Sequence, residues 1–208
     1  MADAMHWGNL SPFEYHPHRG LYWHEVAPGL ICGTQPRSRD DVSALHAEGV
    51  SHIISLQTDA DLDHWKVSLH DLRHRCSELG VTHIRRMARD FDPNSLRKTL
   101  PSAVCSVHHA LKEGRGRVYV HCTAGLGRAP AVCIAHMYWF GTGGLDASYK
   151  ALTDVRPCGP KREAIRGATF DLLSGKQWDE FDRLGSDAWA GLSEEERYAL
   201  QWRVLRIH

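Results

Sequence analysis

The chain has no surplus of charge of either sign: 25 Lys and Arg balance 25 Asp and Glu, so the formal net charge over 208 residues is zero. No global field exists to gather nucleic acid or an anionic membrane, and any recognition of an anion must be local. No apolar run reaches the length needed to span a bilayer. The six cysteines, at 32, 76, 105, 122, 133 and 158, contain no C-x-x-C pair, which favours a reduced compartment over a disulfide-stapled secreted domain. Internal repeats and low-complexity tracts are missing, and the N-terminus lacks the basic-then-apolar layout of a secretory signal. What remains is a packed globular chain, 42% hydrophobic, with 7 Trp and 15 His.

So many histidines raise the question of metal. His70 and His74 stand four apart on a predicted helix, with His64 upstream. No second pair completes a four-ligand spacing, so they are read as solvated helix residues, and no metal or other cofactor is expected.

Residues 1–25 form an arm rich in aromatics, His and Pro. Strands are predicted at 29–33, 52–56, 83–87 and 118–121. Helices are predicted after Ser38, over 69–79, from Pro101 to Lys112, from about Arg128 to Phe140, and over 146–155 and 162–173. The acidic stretch Gln57–Lys66 reads as a loop. Alternating strands and helices imply an α/β fold with a central, mostly parallel twisted sheet flanked by helices. The tail from 174 to 208 carries Trp178, Phe181, Trp189 and Trp202. It ends in a helix opened by a Ser193–Glu196 capping box and is expected to dock on the domain.

The chemistry concentrates where a strand delivers His121-Cys122 and a helix begins near Arg128. Between them lie Thr123, Ala124, Gly125, Leu126 and Gly127. A loop with two glycines can turn its amides inward as a nest for phosphate oxygens, and the helix N-terminus behind it adds partial positive charge. Arg128 can complete the cradle with a bidentate fork. The same field stabilises a thiolate, so Cys122 is expected to act as the nucleophile. His121 is expected to orient the loop. A buried structural Cys would explain the strand position but leaves both glycines and the Arg without a purpose. Phosphoryl transfer also needs a proton for the leaving oxygen. Arg89-Asp90-Phe91-Asp92-Pro93 offers two carboxyls in a turn, and spacing alone leaves open which of Asp90 and Asp92 serves and which merely caps the chain before Ser95.

In these residues the chain resembles the dual-specificity branch of the protein tyrosine phosphatases. More narrowly it is similar to the plant starch (glucan) phosphatases of the "like starch-excess-four" type, which lack a carbohydrate-binding module. The likeness is carried by His121–Pro130, Arg89–Pro93, Arg156-Pro157-Cys158-Gly159-Pro160, Ala164–Thr169 and the tail. It implies a phosphatase domain over 26–173 and a C-terminal motif over 174–208. It also implies Asp90 as general acid and a phosphorylated starch or amylopectin-type glucan, or a maltooligosaccharide, as substrate, with the C3 phosphate favoured. Glucan contacts are implied at Trp65, Phe91 and Arg86, and at His64, where the family has Tyr. Trp189 falls at an outlying glucan site or is a tail anchor. Ala129 stands where many dual-specificity enzymes have Ser or Thr. A monomer is expected, in the plastid stroma, or in the cytosol if the host stores starch there. The rivals are a protein phosphatase with the same chemistry and a silent phospho-ligand binder.

Overall fold

The computed structural model describes residues 10–174, 185 and 188–207. Its five strands are β1 (Trp23–Ala27), β2 (Leu30–Gly33), β3 (Val50–Ser55), β4 (Thr82–Arg85) and β5 (Arg117–His121), in the order β1-β2-β5-β3-β4. The pairs β2/β5, β5/β3 and β3/β4 are parallel, and β1 is an antiparallel edge. Val118, Tyr119 and Val120 of the central β5 are fully buried, as a strand covered on both faces must be. The carboxyl end of such a strand is where an α/β sheet opens toward ligands.

One sheet face packs on α4 (Pro93–Glu113), α5 (Arg128–Phe140), α6 (Leu145–Val155) and α7 (Arg162–Ser174), through a core that includes Leu100, Val104, Ile134, Trp139, Leu152 and Ile165. The other face, with Ile31, Ile53 and Tyr119, packs on α1 (Arg39–Ala47), α2 (Asp59–Trp65) and α3 (Leu69–Glu78). Each fully buried aliphatic side chain contributes about 1.5–3 kcal/mol relative to exposure. Buried polar ties add register: Arg97 grips Asp171 with two hydrogen bonds of 2.7 Å each, and Trp139 Nε1 donates to Thr169 Oγ1 at 2.9 Å.

Four readings of the sequence need correction. The stretch read as the loop Gln57–Lys66 contains α2, because Thr58 accepts from Asp61 N and the Asp61 carboxylate accepts from Thr58 N, a reciprocal cap. Pro101 lies inside α4 instead of opening it: Asp92 caps Ser95 N at 2.8 Å and Pro93 takes the first-turn position. The arm ends in β1, so its last residues join the sheet. Trp202, expected to help dock the tail, is exposed with the Arg206 guanidinium 3.8 Å from its ring centroid. The last helix, α8 (Glu194–Val204), instead buries Leu200 and Val204, and Gln201 Nε2 donates to Trp139 O at 2.9 Å. Trp178 and Phe181 lie outside the described residues.

Candidate active site

Between β5 and α5 the loop His121–Arg128 wraps the carboxyl end of the sheet, and every carbonyl from His121 to Gly127 is spoken for. Leu56 N donates to His121 O at 2.9 Å, Gln35 N to Thr123 O at 3.0 Å, Gly159 N to Leu126 O at 3.0 Å and Ala131 N to Gly127 O at 3.1 Å. Arg156 Nε donates to Gly125 O at 2.8 Å and its Nη2 to Ala124 O at 3.3 Å. Cys122 O accepts from the His121 ring at 3.0 Å. Burial pushes His121 down to about 3, so its ring is neutral and Nδ1 carries the donated proton. With the carbonyls drawn outward, the amides of Thr123 to Gly127 form no hydrogen bond among the described residues. That is the arrangement of an anion nest.

Gly125 is required by this wrapping. Its φ is +66°, and a Cβ there would stand 2.5 Å from Gly33 O and collide with Arg156 Nη2. Arg156 is itself almost fully buried, with Nη1 3.1 Å from His24 Nδ1 and its guanidinium 5.0 Å from the Tyr22 ring centroid. Burial, together with this cation, pushes His24 down to about 4. Arg156 therefore faces a neutral imidazole.

Cys122 is 3% exposed and lines a cavity of about 690 Å³. Arg128, the first residue of α5, lies beside it with a 3% exposed side chain. Its Nη1 donates to Asp61 Oδ2 at 2.8 Å and to Ala88 O at 2.9 Å; its Nη2 donates to Asp61 Oδ1 at 3.1 Å and to Thr123 Oγ1 at 3.3 Å. Asp90 Oδ2 also reaches Nη2, at 2.9 Å. Burial would raise the Asp61 carboxyl, but hydrogen bonds from Arg128 and Thr58 outweigh it and hold it below the usual carboxylate range. The two acids of the Asp-Phe-Asp run separate here: Asp92 caps α4 and pairs with Arg89 at 2.7 Å, whereas Asp90 turns to Arg128.

Besides the loop, the cavity lining includes the apolar side chains of Phe13, Tyr15, Phe91, Pro93, Leu96 and Leu126 and the charged ones of Arg89, Asp90, Asp92 and Lys161. Phe91 is 98% exposed in the left-handed region, at φ +55°. An apolar ring so placed stands ready to contact a ligand and adds nothing to the core.

The other residues expected to meet a glucan lie farther out. Trp65 is half-buried and backs the wall: its ring meets Tyr15 edge-on, with centroids 5.0 Å apart, and it is absent from the cavity lining. His64 packs edge-on against Trp65 at 5.0 Å. Arg86 turns away from the cavity and donates from Nε to Ser106 Oγ at 3.0 Å on α4. Trp189, at φ +61°, accepts through its carbonyl from Tyr138 Oη at 2.9 Å, sets its ring 6.4 Å from Phe170, and is absent from the cavity lining. His70 and His74 stack with centroids 6.1 Å apart, and His74 is engaged by Arg39 and Glu78. Sequence reasoning missed Phe13, Tyr15 and Asp61. The first two were folded into an undivided arm; the third carried a signal, the Thr58-x-x-Asp61 cap.

Residues 22–166 match the family described as Swiss Army Knife protein, DSP-PTPase phosphatase domain. The chain belongs to the DSP-PTPase phosphatases. It is 37% identical over 162 residues to a phosphoglucan phosphatase named DSP4, amyloplastic, of Castanea sativa, covering 77% of this chain and 43% of that one. To phosphoglucan phosphatase LSF1, chloroplastic, of Arabidopsis thaliana it is 30% identical over 167 residues, 80% of this chain and 28% of that one. The chain thus spans less than half the length of these curated relatives. Among solved structures, kinase associated phosphatase with its catalytic-site cysteine replaced by serine superposes with a TM-score of 0.59. That match has 16% identity and covers 76% of this chain and 97% of that one. Such a DSP-PTPase domain is an α/β fold with a mixed five-strand sheet.

Proposed function

We propose that this chain is a phosphoglucan phosphatase that hydrolyses phosphate monoesters on starch- or amylopectin-type glucan through a cysteinyl-phosphate, with the C3 ester as the preferred position. The supporting observation is the cavity itself. A nest of free amides around Cys122 opens between exposed or half-exposed Phe13, Tyr15 and Phe91, in a chain whose curated relatives are named phosphoglucan phosphatases. Aromatic faces suit the apolar faces of sugar rings, and the nest suits the phosphate.

In the first step the Cys122 sulfur attacks phosphorus, the ester P–O bond breaks, and Asp90 delivers a proton to the departing sugar oxygen. Arg128 and the loop amides meet the charge on the equatorial oxygens. In the second step water attacks phosphorus, Asp90 takes its proton, and the sulfur leaves as thiolate. Ala129 offers no hydroxyl to assist, so Asp90 carries that step. One chain supplies the whole set, and the proposed acting unit is a monomer. The plastid, the compartment in both relatives' names, is its proposed location.

The rival is a protein phosphatase using the same loop. Phosphate release from phosphorylated amylopectin is compared with release from a phosphotyrosine peptide, for wild type and for Tyr15→Ala and Phe91→Ala. The glucan reading expects each substitution to lower kcat/KM on amylopectin about fivefold and to spare the peptide. Equal losses on both substrates would remove its support.

A further inference from the structure

Arg128 has one edge filled and one edge open. Nη1 is saturated by Asp61 and Ala88 O, and Nη2 is shared among Asp61, Thr123 and Asp90. Nε is buried and has no partner among the described residues. A phosphate oxygen pair would therefore meet the guanidinium along its Nε–Nη2 edge, taking the free Nε proton and the place that Asp90 Oδ2 holds at 2.9 Å.

The two carboxylates cannot play the same part in that exchange. Asp61 is 12% exposed and presents both oxygens to the arginine. It is fixed from behind by Thr58, whose N and Oγ1 lie 2.7 and 2.8 Å from Asp61 Oδ2. The start of α2 is fixed in turn by Arg85, which donates to Gln57 O at 3.1 Å and Asp59 Oδ1 at 2.7 Å. Asp90 is 41% exposed, lies in a turn, and offers Arg128 a single oxygen.

We infer that Asp61 is the positioning residue of the phosphate-binding arginine, holding its guanidinium through the reaction, and that Asp90 is an exchangeable occupant which the incoming phosphate displaces toward the leaving oxygen. The inference rests on the proposed chemistry at Cys122. It adds a role for α2: a short helix whose cap delivers a fixed counter-charge to the site.

The test measures orthovanadate affinity by calorimetry, and kcat and KM on para-nitrophenyl phosphate, so that no glucan is needed. Asp61→Asn keeps an acceptor for the Thr58 amide but loses the charge and one acceptor. The expected result is orthovanadate binding weakened about tenfold or more, with KM rising more than kcat falls. In an Arg128→Lys background the same substitution should shift binding less than about threefold, because the fork it serves is gone. Should Asp61→Asn fail to fold, Asp61→Glu is read instead, with binding weakened about threefold as the carboxylate is displaced by one methylene. A folded Asp61→Asn with wild-type affinity overturns the inference alone, as does a shift undiminished beside Arg128→Lys, or wild-type binding by Asp61→Glu. A wild-type protein that neither binds orthovanadate nor hydrolyses the aryl phosphate overturns the proposed function, and this inference with it.

Discussion

Asp61 and Asp90 lie on the same guanidinium at similar distances, 2.8 and 2.9 Å at their nearest, yet they differ in everything that surrounds them. One is enclosed, doubly bonded to Arg128 and anchored by a helix cap. The other is in a solvent-reaching turn beside an aromatic held at positive φ. Distance to a catalytic group does not assign a role; the number of other ties does. A carboxylate enclosed with both oxygens on the arginine can only hold, whereas Asp90, exposed and tied by one oxygen to Arg128 and by the other to the Phe91 amide of its own turn, can give and take a proton.

The largest effect that tests this contrast comes from removing the shared partner. Arg128→Ala should lower kcat/KM by about 10³-fold or more. It should also destabilise the fold by about 1–3 kcal/mol, because Asp61, partly buried, is left without its counter-charge. Thermal melting together with steady-state rates reads both. A lost rate with unchanged stability would show that Asp61 does not depend on the arginine.

Next in size is Asp90→Ala, for which kcat should fall about 10²–10⁴-fold while orthovanadate binding holds or tightens, since a competitor for Nη2 has gone. The limb of the pH–rate profile that reports the acid should vanish with it. Weakened vanadate binding in this variant would place Asp90 among the holders and erase the distinction.

Smaller again is the pH dependence of stability. The folded Asp61 carboxyl sits below its unfolded value of about 3.9, so its contribution is fully present above that pH and is lost as pH falls through the folded value. The stability gap between wild type and Asp61→Asn should be constant near neutrality and shrink below about pH 4. Chemical denaturation at several pH values measures it, and a gap that widens in acid would contradict the ion pair.

The same contrast explains what could be read from the sequence. Strand β5, the loop and the start of α5 were legible because their signals are local: a β-prone run, two glycines and an Arg at the helix entry. Asp90 was legible only as one of two acids; spacing could not separate it from Asp92, because the difference lies in which one caps α4 and which one meets Arg128. Helix α2 was overlooked although Thr58-x-x-Asp61 is a cap signature, since an acidic stretch after a strand also reads as a loop. The ties that shape the nest, from Gln35, Arg156 and Gly159, join segments far apart in the chain and leave no local pattern. Phe13 and Tyr15 reach the cavity from the arm, where nothing in the local sequence points to a wall. Arg86 was placed near the pocket by resemblance, yet its side chain is drawn onto α4 by Ser106.

The most direct test of the account is to look for the covalent intermediate. Protein turning over phosphorylated amylopectin is quenched in acid and its peptides are analysed by mass spectrometry. The expected result is a phosphate adduct on the Cys122 peptide, lost in Cys122→Ser together with all phosphate release. Release of phosphate by Cys122→Ser, or an adduct on any other residue, would contradict it.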